Sequence, residues 1–587
     1  MRPLLLLLVI SCVAFAECTG SISQYVPAIV GDNSGSLVNV TVGLVPGYGQ
    51  TYVSVWPRTG LMAQASVQDA VAYAYGMADK ERDCDVLVDF GGQPDTSYIE
   101  GPSAGAALTV MTYALLEGEA MRTDAVITGA VDASGAVGPV GGLYEKARGA
   151  ASMGASYFIT PVENVYEMLL LKEIEGRYGM KVLQARSVEE VAGFMLDNKS
   201  IEQEPLAAAK REIPDVEPYD YSGITAFAPV AAAMVDLERS ALAGVDGGGD
   251  EADIVRDFYG NEAQRQQKIL DSGYLFSAAN EAFLNYIDIS TIEVILKDDV
   301  DLPRKKGEAG ICLSGIKRPA LSDRNFEWVV GSDLRMAWAQ DKIDNAKIED
   351  KMLKDESYSE YNGLMYADAW CHVAKGLVGA APSGGTPINE SAWEPIAKAG
   401  IDEARALDIT DSELASRLNI AQDAYTKGYY GAATYEAVYV ITNHESDMAE
   451  NLGDAAYENV SVLVMEDRDS LWGRIYQSHA AFLYSQNNSA GAYRTALFAK
   501  GLDEATAEMV RAMEPAMDGG NGTGNGDIGQ PVAEETQDGD IFALGGIALI
   551  STLLFIVVVI VLTRRSHGNN GQGPGKAHGA KQKKGRV

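Results

Sequence analysis

Histidine is nearly absent from this chain: there are 5 in 587 residues, and the first is His372. A Ser-His-Asp triad confined to the N-terminal third is therefore excluded, because a serine there has no histidine to serve as its base. Cysteine is equally scarce, at 5. No Cys-x-x-Cys pair or Cys/His cluster occurs, so neither a metal nor any other cofactor is expected. No Gly-x-x-x-x-Gly-Lys-Ser/Thr phosphate loop occurs either, which removes the usual signature of an ATPase. The Gly-rich stretch "VDGGGDEAD" lacks the lysine and a preceding strand and reads as a loop. Positive charge is also short: 47 Lys and Arg stand against 82 Asp and Glu, a net charge of -35. That balance argues against a nucleic-acid partner, which rewards basic patches. It fits a solvated surface in a salty medium that screens repulsion.

What the chain does have is a distinctive pair of ends. "MRPLLLLLVISCVAFAECTG" carries one cation at Arg2, an apolar run from Leu4, and Ala14 and Ala16 at the spacing of a signal-peptidase site. Cleavage after Ala16 is expected, and lipidation at Cys12 in "VISC" is the rival. Residues 541–562, "IFALGGIALISTLLFIVVVIVL", carry no charge and are long enough for a helix to cross a bilayer. Asp538 and Asp540 precede that run, whereas only cations follow it, from Arg564 to Arg586. By the positive-inside rule the large N-terminal region is expected outside the cell membrane and residues 563–587 within. A single-pass envelope protein of a prokaryote follows, and its acidity points to an archaeon. A disulfide between Cys312 and Cys371 suits that exterior, as do the sequons at Asn39, Asn198, Asn389, Asn459, Asn487 and Asn521.

The interior divides by texture. After a signal peptide (1–16) and an N-terminal extension (17–36), residues 37–200 alternate β-like runs such as "SLVNVTVGLV" and "CDVLVDF" with helical ones such as "MAQASVQDAVAYAYGMADK". This predicts an α+β domain. Prolines and dense charge mark a linker at 201–221. Residues 222–517 are Ala- and Tyr-rich with helical periodicity, predicting an all-α domain. Within it "GYLFSAANEA" (Gly273 to Ala282) resembles "GYYGAATYEA" (Gly428 to Ala437), which suggests tetratricopeptide-like hairpins or an ordinary helical bundle. A Gly- and Asn-rich acidic stalk (518–540) leads to the membrane segment.

One stretch carries chemistry. "YIEGPSAGAALTV" sets Ser103 between glycines at the mouth of a helix, where free N–H groups and the helix dipole favour an oxyanion. Gly101 and Gly105 leave room for a substrate backbone. Taken alone, Ser103 reads as a helix cap. The only lysine between Lys80 and Lys172 is Lys146 in "VGPVGGLYEKARGA". A lysine acts as a base only when neutral, and burial among small apolar residues lowers its pKa from about 10.4.

Together, Gly101–Gly105 "GPSAG", "TG" at Thr128 and Gly129, and "PVGGLYEK" from Pro139 to Lys146 resemble the proteolytic domain of the Lon family in kind and order. The resemblance implies a Ser-Lys dyad in which Ser103 is the nucleophile and Lys146 the base. Thr128 either orients Lys146 or only makes the turn. Glu100 either approaches the site or faces solvent. Glu100, Ala130 and Tyr144 replace an Asp, a Glu and a Lys common in the family.

The implied whole is an α+β Lon-type domain, an all-α domain and one C-terminal transmembrane helix. It would act as an ATP-independent serine endopeptidase on extracytoplasmic proteins or peptides. Oligomeric state is open at this point, and the resemblance makes a homo-oligomeric ring, a hexamer, the assembly to test. The competing reading is an inactive Lon-like scaffold or structural envelope protein that binds partners through its helical domain.

Overall fold

A computed structural model describes residues 18–30, 34–91, 98–99, 101–163, 165–203, 211–245, 249–349, 351–409, 411–450 and 459–513. The expected signal peptide, stalk, transmembrane segment and basic tail lie outside the described residues, as does Glu100. Among the described residues, no helix is long and apolar enough to cross a membrane.

The N-terminal region is α/β. Its first sheet has the order β1-β2-β5-β3, built from Ser21–Val30 (β1), Ser34–Pro46 (β2), Thr51–Val53 (β3) and Cys84–Gly91 (β5). β1 and β2 are antiparallel, as are β2 and β5, whereas β3 runs parallel to β5. The stretch expected as an N-terminal extension thus supplies an edge strand of this sheet. The strand β2 shows why: Val38, Val40, Val42 and Leu44 alternate into the core, the period that a half-buried strand requires. A short parallel pair joins Arg58–Thr59 (β4) to Tyr98–Ile99 (β6).

The second sheet is parallel, in the order β11-β10-β7, from Ala125–Ile127 (β7), Tyr157–Thr160 (β10) and Lys181–Gln184 (β11). Between β7 and β10 sit a two-residue hairpin pair, Ala130–Val131 (β8) with Val137–Gly138 (β9), and the helix Leu143–Ser152 (α3). The helices Leu61–Met77 (α1) and Gly105–Glu117 (α2) pack against each other. Val165–Tyr178 (α4) and Val188–Asp197 (α5) follow β10 and β11.

Two disulfides brace the chain. Cys312 pairs with Cys371, as expected, and Cys18 pairs with Cys84. The second ties the segment before β1 to the start of β5, a pairing that only the sheet order makes possible.

Among the described residues after the linker the long elements are helices: Ala228–Gly244 (α6), Asp250–Asp271 (α7), Leu275–Lys297 (α8), Leu302–Ser314 (α9), Phe326–Asn345 (α10), Lys354–Ala380 (α11), Glu394–Ala406 (α12), Ser412–Thr426 (α13), Tyr430–Glu450 (α14), Val460–Met465 (α15), Leu471–Ser485 (α16) and Ser489–Met513 (α17). The two Gly-Tyr repeats are hairpin turns. Gly273 and Gly428 both take a left-handed φ, at 90° and 81°. In each, the glycine N–H closes on the carbonyl three residues back, and the following tyrosine N–H closes on the carbonyl five back. That is the glycine-terminated helix end that satisfies the last carbonyls. A third copy joins α16 to α17, with Asn487 (φ 59°) in place of glycine. Downstream of each turn, buried alanines such as Ala278, Ala433 and Ala492 let the paired helices approach closely.

One hydrophobic cluster spans the two regions, beside a second that belongs to the N-terminal region alone. Leu169 and Ile174 of α4 belong to the same buried cluster as Phe283, Ile287 and Leu364 of the helical region. Tyr144, which stands where the Lon pattern often has lysine, is 5% exposed in that cluster. A lysine ammonium there would be buried, which accounts for the departure. An ion pair between Arg148 and Glu356, at 2.7 Å, crosses the same seam.

Candidate active site

Ser103 lies half-buried in the turn that leads into α2. It is not the helix cap: Ala104 holds that position, and no side chain caps the helix. The Ser103 hydroxyl donates to no described residue, whereas its carbonyl oxygen is held twice, by the Gly129 N–H at 3.0 Å and the Thr128 hydroxyl at 3.3 Å. The preceding carbonyl, of Pro102, accepts from the Gly105 N–H at 3.0 Å and the Ser66 hydroxyl at 3.2 Å. The loop is thereby fixed by its backbone, and among the described residues the Ser103 hydroxyl is left unengaged.

The Thr-Gly turn is fixed in its own right. The Thr128 N–H donates to the Ile159 carbonyl of β10 at 2.9 Å, and the Gly129 carbonyl accepts from the Ala106 N–H at 3.0 Å. At Gly129 the φ of 157° and the approach of Val137 leave little room for a side chain, since a Cβ would come within 2.4 Å of that valine's side chain. Gly101 takes φ 89° with open space around the position of a Cβ. Its glycine serves the left-handed backbone of the loop rather than a close approach.

The Gly105 and Ala106 amides are spent on Pro102 and Gly129. The Ser103 and Ala104 amides donate to no described residue, and they are the N–H groups the loop offers an oxyanion.

Lys146 stands in the first turns of α3, 4% exposed. Burial pushes its ammonium down to about 8, against the smaller opposing pull of Glu145. No hydrogen bond or ion pair engages its Nζ among the described residues. Neither Ser103 nor Thr128 is hydrogen-bonded to it, so the threonine's observed partner is the Ser103 backbone rather than the lysine. Chain connectivity brings the two motifs to one region: Gly129, which holds Ser103, runs into β8, β8 pairs with β9, and α3 begins a few residues past β9. In unliganded enzymes such catalytic hydrogen bonds are commonly long and tighten with substrate.

Sequence reasoning missed Gly35, which sets the height of the lysine helix. A Cβ on Gly35 would lie 1.7 Å from the Glu145 carbonyl oxygen, and one on Gly149 would lie 2.7 Å from the Gly35 carbonyl carbon. Strand β2 and helix α3 therefore touch backbone to backbone. It also missed a series of acids beside α3. Burial, with Glu145 nearby, pushes the Glu167 carboxyl up to about 7, and burial with Glu167 nearby pushes Asp288 of α8 up to about 8. The only grouping of potential metal ligands among the described residues is Cys18, Asp83 and Cys84, whose two sulfurs are bonded to each other.

Residues 58–198 match the Lon protease (S16) C-terminal proteolytic domain. That span holds Ser103, Thr128 and Lys146. Lon protease 2 of Bacillus subtilis (strain 168) is 28% identical over 194 residues, which cover 30% of this chain and 34% of that protein. The Lon proteases of Haemophilus influenzae and of Escherichia coli (strain K12) are each 30% identical, over 173 and 177 residues; each match covers 28% of this chain and 21% of the relative. The chain thus spans about a third or less of the length of these curated relatives. The likeness supports a Lon-like serine peptidase, and the family match at 58–198 ends before α6.

Proposed function

We propose that this chain is an ATP-independent peptidase that hydrolyses peptide bonds of extracytoplasmic proteins or peptides with Ser103 and Lys146. The observation that carries the reading is the pair itself: an unengaged hydroxyl on a backbone-clamped loop, and a buried lysine whose ammonium is pushed down to about 8, within a Lon-type match. Ser103 Oγ attacks the scissile carbonyl carbon while neutral Lys146 Nζ takes the hydroxyl proton. The Ser103 and Ala104 amides receive the developing oxyanion. As the tetrahedral species collapses, the C–N bond breaks and the lysine returns its proton to the leaving amine. Water, deprotonated by the same lysine, then attacks the ester. The products are a free carboxylate and a regenerated serine.

ATP independence is supported by the missing phosphate loop. An extracytoplasmic site is supported by the leader-like start, the apolar run at 541–562 with its basic flank, and two disulfides, which persist in oxidising compartments. Glu100 is proposed only as a residue near the nucleophile loop. The assembly to test is a homo-oligomeric ring, first as a hexamer.

The test is cleavage of an unfolded protein without ATP by the purified chain and by Ser103→Ala and Lys146→Ala. Loss of cleavage in both, with unchanged circular dichroism, is the expected result. Unaltered cleavage in either variant would overturn the dyad.

A further inference from the structure

The helical region encloses a cavity of about 370 Å³ where α6, α8, α10, α11, α13, α14, α16 and α17 converge. That volume lies within the roughly 300–1,000 Å³ range of ligand sites. Its walls are largely aromatic, with Trp338, Trp370, Trp472, Tyr476 and Phe498 among them. It reaches the surface beside Leu284, which is 41% exposed.

Arg335 is the anomaly in this wall. It is 3% exposed, and its guanidinium lies 4.2 Å from the ring centre of Trp472 and 5.0 Å from that of Trp338. Two of its N–H groups make long bonds of 3.3 Å, to the Gly331 carbonyl and the Tyr476 hydroxyl. Its Nε is buried without any hydrogen-bond partner, and no carboxylate lies within ion-pair distance among the described residues. The nearby acids are already engaged. Glu436 accepts from Arg417 at 3.3 Å and from the Trp338 indole at 3.0 Å, and Asp447 pairs with Arg494 at 2.6 Å. His479 adds no charge near neutral pH, because burial pushes it down to about 4 and its Nδ1 is bonded to the Ser277 hydroxyl at 2.9 Å.

A buried guanidinium without an ion-pair partner is costly even with Glu436 attracting it through space, and an anion in the aromatic cavity would complete it. The planar fork suits a carboxylate, and the surrounding rings suit a large apolar group attached to it. Asn280, also in the wall, offers an amide group that matches a peptide backbone, and Asn443, whose Nδ2 donates to the Tyr439 carbonyl at 2.8 Å, adds its amide oxygen. We propose that this cavity binds the carboxyl-terminal residue of a peptide, with the α-carboxylate on Arg335 and an aromatic or large aliphatic side chain among Trp338, Trp472 and Phe498. The choice of a peptide over another apolar carboxylate rests on the peptidase reading above. Such an end comes either from an incoming substrate or from the product that hydrolysis has just released.

The experiment uses the full chain carrying Ser103→Ala, so that binding is read without cleavage. N-acetyl-Ala-Ala-Phe and its carboxamide are titrated while tryptophan fluorescence is followed, since three of the chain's 6 tryptophans line the cavity. The acid is expected to give a saturable change and to bind at least tenfold more tightly than the amide. Arg335→Lys, which keeps the charge but loses the fork, is expected to weaken the acid about tenfold. Equal binding of acid and amide, or no binding, in a chain with unaltered circular dichroism and melting would overturn the proposal. The comparison needs no variant at the buried arginine, so misfolding of Arg335→Lys would not rescue it. The two readings fail separately: acid-selective binding by a chain that cuts nothing would remove the peptidase and leave the cavity, and the reverse would do the opposite. With the unmodified chain, a higher KM for a carboxamide-terminated substrate identifies the incoming end as the ligand. Equal KM with inhibition by N-acetyl-Ala-Ala-Phe identifies the product end.

Discussion

The Gly129 N–H donates to the Ser103 carbonyl oxygen at 3.0 Å, and the Thr128 hydroxyl reaches the same atom at 3.3 Å. The Thr-Gly turn therefore acts on the backbone of the nucleophile loop. Thr128→Val removes one of the two bonds and leaves the other, so a loss of about 1 kcal/mol of stability is expected. A several-fold fall in kcat is expected with it, as the loop loosens. The alkaline-going limb of the pH profile should stay in place, because Thr128 is not bonded to Lys146. A displaced limb in Thr128→Val would show instead that the threonine acts on the lysine.

In the proposed mechanism Lys146 sets that limb. With its ammonium pushed down to about 8 by burial, kcat/KM should rise with pH and level off above that value. Glu145 opposes the burial effect, so Glu145→Gln should move the limb to lower pH, while Lys146→Arg abolishes cleavage at every pH. The same shift has a sign in stability. The folded value lies below the unfolded value of about 10.4, so between these two values the unfolded chain holds more protons and stability contributed by this group rises with pH. A pH-independent rate from 6 to 10 would remove Lys146 as the base.

How much of this was legible in the sequence follows from how local each signal is. Ser103 and Lys146 sit in motifs whose glycines and small residues are contiguous, and the Gly-Tyr hairpins carry their turn chemistry in two adjacent residues. The pairing of Cys312 with Cys371 was expected from an oxidising exterior, which allows a disulfide without choosing its partners. The Cys18–Cys84 bridge was not expected, because it depends on which strands are neighbours. Thr128 was visible as a turn residue, but its partner is decided by how two loops dock. The third hairpin hid behind Asn487, since asparagine tolerates the left-handed backbone that the glycines announce elsewhere. Gly35 gave no local signal, because its neighbour is the backbone of a helix distant in sequence.

Gly35 is accordingly a strong test of the site's architecture. Gly35→Ala places a methyl group 1.7 Å from the Glu145 carbonyl oxygen, and backbone atoms on both sides cannot rotate away as a side chain would. A loss of about 1–3 kcal/mol is expected from the overpacking, with α3 pushed off β2 and a matching fall in activity as Lys146 moves. Gly101→Ala contrasts with it: the new Cβ meets nothing, and its cost comes from the left-handed φ of 89° alone. Unchanged melting and cleavage in Gly35→Ala would mean that the strand and the lysine helix are not in backbone contact.

The seam between the two regions makes its own prediction. Asp288 of α8 keeps some exposed area, yet the protein around it, with Glu167 of α4 nearby, pushes it up to about 8; Glu167 itself is pushed up to about 7. The Tyr259 hydroxyl donates to Asp288 at 3.5 Å and opposes the shift only in part. Both values lie above the unfolded carboxyl range of about 3.9 to 4.3. The folded chain therefore holds protons that the unfolded chain releases. The stability this gives is present in full below about pH 4 and is lost as pH rises toward 8. Asp288→Asn keeps the shape and removes the titration. Its melting temperature should exceed that of the unmodified chain at pH 8, and the gap should narrow toward pH 5. Because α4 packs on α8 while Glu145 on α3 faces Glu167 electrostatically, the loosening at high pH falls next to the lysine helix, under the conditions that make Lys146 a base. Asp288→Asn should therefore also extend the pH range over which the chain stays folded. Identical melting curves for the two chains at pH 5 and pH 8 would show that Asp288 is ionised throughout and that the seam does not titrate.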